Sequence, residues 1–288
     1  MILYLNCYKD PAQVSWTKAD YLLAAAKRLG WDWVVPYQNK SGSAQNDTNP
    51  KYVLNIEPFQ NFIKGSKWTG IWEIDVTFDR AEMNMSNWVV CDTVFVANSN
   101  LPSRLDVFQG EKIVLFQACD PELHKRIKSI PQKYDFVFSG SMGLDIYKER
   151  EHAINLLRAR SFSFFYHGKG HPPHKYVEKI NEARVQFIRS AGKKPIATSQ
   201  VEQRFFECLA IGPVLKDYHP DLQILGLVEG KDLFWYRDDG EMLEKMEYLI
   251  KNPEFAKQMA ENGRRKALLY HTYDTRLVAI KNIIEEHE

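Results

Sequence analysis

The chain has 288 residues, 44% hydrophobic and 26% charged, and its 38 basic and 37 acidic side chains leave a formal net charge of +1. That composition excludes a disordered chain, and the length suits two domains of ordinary size. The balanced charge gives no global field toward nucleic acid or a membrane surface. Met1 leads into the apolar run 2–5 with no basic leader, and no apolar run reaches membrane-spanning length. The reading is a cytoplasmic protein without a signal peptide or transmembrane segment. Cys7, Cys91, Cys119 and Cys208 lie far apart in or beside apolar stretches, as small buried thiols of a reducing compartment do.

In chain order, "ILYLNC" (2–7) reads as a buried strand. Thr17-x-x-Asp20 then opens a helix whose apolar letters continue to Leu29 and stop at Gly30. Further strands are predicted at 31–35, 52–56, 69–74, 93–98 and 112–117, with a helix candidate over 80–89. Strand and helix alternating in this way predict a parallel sheet covered on both faces. The polar, basic stretch 124–135 with Pro131 reads as an inter-domain linker. The rhythm then restarts, with strands at 136–140, 162–167, 185–190, 213–217 and 233–237. Helices are predicted from Ile146 to Ala159, after Asp238-x-x-Glu241, from Asn252-Pro253 and from Asp274 to Glu286.

Two such units leave a crevice, and in open parallel sheets ligands bind beyond the carboxyl ends of the strands. The loops to inspect are therefore "GSMGLD" (140–145), "HGKGHPPH" (167–174) and "AGKKPIATSQ" (191–200). Gly140 and Gly143 would let backbone approach a ligand closely. His167, His171 and His174 lack helical ligand spacing and are broken up by glycines and prolines, so no metal site is read there.

The stretch "SQVEQRFFECLAIGPVL" (199–215) sets Glu202, Arg204 and Glu207 among apolar letters. Ser199-x-x-Glu202 reads as a capping box, which predicts a helix beginning near Ser199 and a phosphate seat at its first turn. Thr198, Ser199 and Gln200 would line that seat, and Arg204 would reach back toward the anion. Glu207, three residues on, could accept hydrogen bonds from vicinal hydroxyls such as those of a ribose. The plainer alternative is that Arg204 and Glu207 pair with each other.

These residues carry a resemblance. From Tyr134 onward the chain resembles the C-terminal domain of GT-B glycosyltransferases, in particular glycosyltransferase family 4 and the spore-maturation-type proteins with a "glycosyl transferases group 1" domain. "RFFECLAIGPVL", "NPEFAKQMAENGRRKAL" and "YHTYDTR" (270–276) resemble three family signatures in order, and "FQACDPELHK" (116–125) resembles the end of the family's first domain. The resemblance implies an α/β chain of GT-B fold, with two Rossmann-like parallel-sheet domains facing a central cleft. Residues 1–132 would bind the acceptor and 133–272 the nucleotide sugar, and 273–288 would form a helix crossing back to the first domain.

The implied activity is metal-independent, retaining transfer of a sugar from a nucleotide diphosphate sugar to an acceptor hydroxyl on a glycan or small molecule. No cofactor is implied, and UDP leads GDP and dTDP as the nucleotide. Glu207 would be the second glutamate of an E-x7-E pair and hold the ribose, while Ser199 stands where the first glutamate would be. Gly140 and Ser141 would line the diphosphate. Gly168, Lys169 and Gly170 would lie beside the nucleotide, with Lys169 neutralising phosphate and Tyr176 covering the base. From its place at the end of a first-domain strand, Asp75 reads either as a helix cap or loop acid or as the group that orients or deprotonates the acceptor hydroxyl, with Trp72 beside it at the acceptor. Tyr8, Lys9 and Asp10, after the first strand, would face the crevice and contact the acceptor. Two alternatives accompany this reading. One is a non-catalytic nucleotide-sugar-binding protein. The other is a phage-type glycosyltransferase acting on a modified DNA base, which the neutral charge disfavours.

Overall fold

Thr17 opens the first helix as its sequence requires. Its hydroxyl accepts from the Asp20 amide, and the Asp20 carboxylate accepts from the Thr17 amide at 2.7 Å. The computed structural model describes residues 1–7, 17–36, 49–56, 62–73, 87–99, 105–106, 108–167, 171–190 and 200–288, without the side chains at 73, 146 and 167. The helix candidate at 80–89 therefore falls largely outside the described residues. The chain divides into two compact units, Met1–Gln117 with Tyr273–Glu288, and Ala118–Thr272.

The first unit contains β1 (Leu3–Cys7), α1 (Lys18–Arg28), β2 (Val34–Pro36), β3 (Tyr52–Ile56), β4 (Trp68–Glu73), β5 (Thr93–Val96) and β6 (Glu111–Val114). They form one parallel sheet in the order β2-β1-β3-β4-β5-β6. β3 is buried at every position, as expected of a central parallel strand covered on both faces. The last helix of the chain, Tyr273–Glu286, belongs to this unit. Its Tyr273 ring stacks on Tyr21 at 4.8 Å, and Asp274 takes a two-pronged bond from Arg28 at 2.9 Å. Arg276 donates to the carbonyls of Phe116 and Gln117.

The second unit contains β7 (Tyr134–Ser139), α2 (Lys148–Ala159), β8 (Phe164–His167), α3 (Pro173–Asn181), β9 (Ala183–Ile188), α4 (Gln203–Leu209), β10 (Val214–Asp217), α5 (Asp221–Ile224), β11 (Phe234–Tyr236), α6 (Asp239–Lys251) and α7 (Pro253–Tyr270). The Tyr273–Glu286 helix is α8. Its sheet, also parallel, runs β11-β10-β9-β7-β8. Period-2 alternation divides its core. Phe136 and Phe138 point to one face with Leu157, Phe187, Met242 and Met246, while Val137 points to the other with Val177, Ile180 and Ile211. Each fully buried ring or aliphatic side chain contributes roughly 2 kcal/mol of hydrophobic stabilisation.

Residues 124–135, read from sequence as a linker, pack within the second unit. Asn181 is completely buried and gathers them, its Oδ1 accepting from the Ile127 amide at 2.8 Å and its Nδ2 donating to the Lys125 carbonyl at 3.1 Å. Leu123 and Ile127 rest on the Val137–Ile180 cluster. The basic side chains made this stretch look solvated, but only one side of it faces water. Asn252 stands at the start of α7 as predicted, yet its amide donates back to the Tyr248 carbonyl rather than capping the helix.

Candidate functional site

In the second sheet the chain adds β8 on one side of β7 and then crosses to add β9 on the other. The strand order therefore reverses between β7 and β9, and in open parallel sheets ligands bind at the carboxyl ends of the strands at such a point. Gly140 and Ser141 follow β7, and Arg189 and Ser190 follow β9.

The loop after β7 is held in place before any ligand arrives. The Tyr166 hydroxyl donates to the Gly140 carbonyl at 2.8 Å, Arg150 donates to the Ser141 carbonyl at 3.0 Å, and the Gly143 amide donates to Glu151 at 2.7 Å. Gly143 adopts φ +86°, a left-handed conformation that suits glycine.

Onto this loop lies Arg204, the second residue of α4. Its guanidinium packs so close to Gly140 that a β-carbon there would stand 2.7 Å from Nη1. Among the described residues Arg204 makes no hydrogen bond and no ion pair, and it is half-buried. A second guanidinium, Arg150, sits nearby on α2 and is only 6% exposed. It donates to the carbonyls of Arg189 and Ser141, each at 3.0 Å, and lies over the Tyr147 ring at 4.7 Å. Among the described residues no carboxylate stands within ion-pairing distance of it. Burial lowers its pKa, and the neighbouring Arg204 lowers it further. Two like charges brought together at low dielectric favour an anion between or beside them. Nothing in the linear sequence marks Arg150, because spacing alone does not reveal that α2 turns it inward.

Helix α4 begins later than the capping-box pattern predicts. Glu202 is the N-cap in extended conformation, and the helix runs only from Gln203 to Leu209. The Glu202 carboxylate is drawn to Lys216 instead, at 3.0 Å, and Lys216 also reaches Ser190 and Asp217. Burial opposes the charge on Glu202, but Lys216 outweighs it and holds the carboxyl at about 2. With an acid already at its tip, this short helix offers no free phosphate seat, and among the described residues Arg204 and Arg150 bring positive charge to the carboxyl ends of β7 and β9.

Arg204 and Glu207 do not pair. Glu207 is 6% exposed, and its Oε1 accepts from Gln203 at 2.7 Å while facing His124 Nε2 across 3.6 Å. Tyr176 adjoins the same pocket. Its ring is half-buried, and burial, then Cys208 and Glu207, push the hydroxyl pKa well above its ordinary value. Burial likewise pushes the Cys208 thiol up to about 12, which makes it an inert packing group. Gln200 is half-buried, and its Oε1 has no partner among the described residues. The structure thus brings together Gly140, Ser141 and Arg204, and beside them Glu207 and Tyr176.

Other predicted positions give less. Ser199, Thr198, Gly168, Lys169, Gly170, Tyr8, Lys9, Asp10 and Asp75 lie outside the described residues. Trp72 is fully buried, its indole N–H donating to the Leu115 carbonyl at 3.0 Å and its ring meeting the edge of Tyr273. It is a core residue of the first unit rather than an acceptor contact, because its side chain points into the sheet–helix layer. Sequence reasoning also missed His124, which it had placed in a linker. The available signal was the Asp120-x-x-x-His124 spacing of a side-chain-braced turn.

Among the described residues no helix is long and apolar enough to cross a membrane. No curated protein matches the sequence. Among solved structures the chain is similar to Anabaena HepE in complex with UDP and glucose, with TM-score 0.65, 11% identity and 99% of each chain covered. It is equally similar to sucrose-phosphate synthase from Thermosynechococcus elongatus, with TM-score 0.65, 11% identity, and 99% of this chain and 98% of that one covered. A DNA-modifying β-glucosyltransferase aligns with TM-score 0.61 and 12% identity over 99% of this chain and 100% of the other. At such identities the likeness speaks for the fold, which is GT-B. The family model described as "Glycosyl transferase-like" matches residues 121–282, more than half of the chain and all of the elements around Arg204 and Glu207. On that match the chain belongs to the glycosyl transferase-like family and is a glycosyltransferase.

Proposed function

We propose that the enzyme takes its sugar from a nucleotide diphosphate sugar, seats the diphosphate on the Gly140–Gly143 loop against Arg204, and holds the ribose on Glu207. The observation that carries this reading is the Arg204 guanidinium, which packs on Gly140, makes no hydrogen bond or ion pair among the described residues, and has a second buried guanidinium beside it. In the transfer, the bond from the anomeric carbon to the β-phosphate oxygen breaks, and a bond forms to the acceptor oxygen, which gives up its proton. Negative charge grows on the departing diphosphate. Donors already fixed around that position stabilise it without reorganising. Uridine diphosphate is the nucleotide we favour, and the solved relatives that bind UDP support that choice.

We read the transfer as retaining and independent of a divalent metal, with the guanidiniums taking the charge that a metal would otherwise take. The acceptor is a hydroxyl of a glycan or small molecule. The test is incubation with UDP-, GDP- and dTDP-sugars, with and without EDTA, while free nucleoside diphosphate is measured and the product anomer is read by NMR. Release from a UDP-sugar that survives EDTA is the expected result. Binding without release would make the chain a nucleotide-sugar-binding protein instead, and a salt-sensitive shift of duplex DNA would redirect the acceptor reading.

A further inference from the structure

Behind Glu207 stands a group that the proposed function does not use. His124 is completely buried, in a segment that precedes β7 and lies some 80 residues before Glu207 in sequence. Its ring is locked. Nδ1 accepts from the Asp120 amide at 2.9 Å, and the Asp120 carboxylate is itself fixed by the amides of Glu122 and Leu123. Burial lowers the histidine pKa, although Glu207 and Asp120 oppose this. With Nδ1 serving as acceptor, a neutral ring carries its proton on Nε2, the nitrogen that faces Glu207 Oε1 across 3.6 Å. Gln203 donates to that same oxygen.

From this geometry we infer that His124 is a positioning residue for the ribose-binding carboxylate, and that it sets the preference for ribonucleotides over 2′-deoxyribonucleotides. The inference rests on the proposed role of Glu207. Gln203 already bonds Oε1 at 2.7 Å, and the His124 Nε2–H stands 3.6 Å from the same oxygen; closing that second contact on ligand binding would fix the plane of the carboxylate, so that its lone pairs point where a vicinal diol can meet them. The distance of 3.6 Å is longer than a closed hydrogen bond, as is common for such contacts before the ligand is bound. A carboxylate left to rotate would still bind nucleotide but would select less sharply for the second hydroxyl.

Two substitutions separate positioning from mere packing. In His124→Asn the side-chain oxygen can stand in for Nδ1 and accept from Asp120, but nothing reaches Glu207. In His124→Gln the amide can stand in for Nε2 and donate to Glu207, while the bond to Asp120 is lost. Titration calorimetry with UDP and with 2′-deoxy-UDP reads the ratio of the two affinities. We expect the wild-type protein to prefer UDP by roughly tenfold, as suits a hydrogen bond to a charged group. His124→Asn should lose most of that preference while binding 2′-deoxy-UDP as before, and His124→Gln should keep most of it. An unchanged ratio in a folded His124→Asn protein would overturn the inference and leave the donor reading standing. If the wild-type protein bound neither nucleotide, both readings would fall. Nitrogen-15 NMR of the wild-type histidine needs no variant. A proton on Nε2 is expected, and a proton on Nδ1 would overturn the inference by itself.

Discussion

The guanidinium of Arg204 fills the space that a side chain on residue 140 would need, 2.7 Å from where its β-carbon would lie. A glycine after β7 therefore meets two demands, since its φ of +158° lies where residues with a side chain rarely sit and the arginine needs the room. A methyl group at 140 should push the flexible end of Arg204 aside and also strain the backbone at that residue.

Gly140→Ala should lower turnover roughly tenfold, and Arg204→Ala roughly a hundredfold, in line with the loss of one charged donor at a developing anion. Arg204→Ala should shift unfolding stability by no more than about 0.5 kcal/mol, since Arg204 has no partner to lose among the described residues, whereas Gly140→Ala should cost about 1–3 kcal/mol through its backbone. Because one acts through the other, the double variant should be no worse than Arg204→Ala alone, which steady-state kinetics in a double-mutant cycle will show.

Arg150→Lys should weaken UDP binding and cost about 1–2 kcal/mol of stability. An ammonium cannot serve the Ser141 and Arg189 carbonyls together in the fixed fork that a guanidinium provides. Chemical denaturation and calorimetry of the same variant check the two effects.

The Glu202–Lys216 contact has a pH signature. The Glu202 carboxyl is depressed from 4.5 to about 2, so it contributes stability that is complete above its unfolded range and is lost as pH falls through 2. Lys216 is raised: burial works against its charge, but Asp217 and Glu202 outweigh that, so it stays charged throughout this window. Glu202→Gln should cost roughly 2 kcal/mol at neutral pH, since Asp217 and Ser190 still serve the ammonium. The gap to wild type should close between about pH 4.5 and pH 2, as measured by urea unfolding across that range.

Asn181→Ala should cost about 3 kcal/mol. It removes the side-chain partner of the Ile127 amide and of the Lys125 and Val177 carbonyls at a residue that is itself completely buried. Thermal melting of the variant tests whether residues 124–135 truly belong to the second unit's fold.

The strands were legible because each is a short apolar run, and the parallel arrangement followed from their alternation with helices. Thr17 and Asp238 announced their helices correctly, the latter accepting from the Glu241 amide at 2.8 Å. The error at Ser199 has a physical cause. A pattern of cap residues cannot show that a lysine fifteen or so positions away will take the carboxylate, and Lys216 does take it. Arg204 and Glu207 were visible as charges in an apolar stretch, but their failure to pair was not. It depends on Gln203 and His124 claiming Glu207, and His124 comes from a segment whose basic letters disguised a buried ring.

One feature of the chain path bears on how the protein is made. The first unit is interrupted: its β-sheet is encoded before Gln117, yet α8, whose Tyr273, Arg276, Leu277, Ile280 and Ile284 are buried, follows only after the whole second unit. During synthesis the second unit can close as one continuous piece while the first still waits for its final helix, with the Tyr21 face exposed. The sheet at greatest risk of misassociation on the ribosome is thus the one that emerges ahead of the second unit, and a nonsense mutation near position 272, far from that sheet in sequence, would leave it without α8.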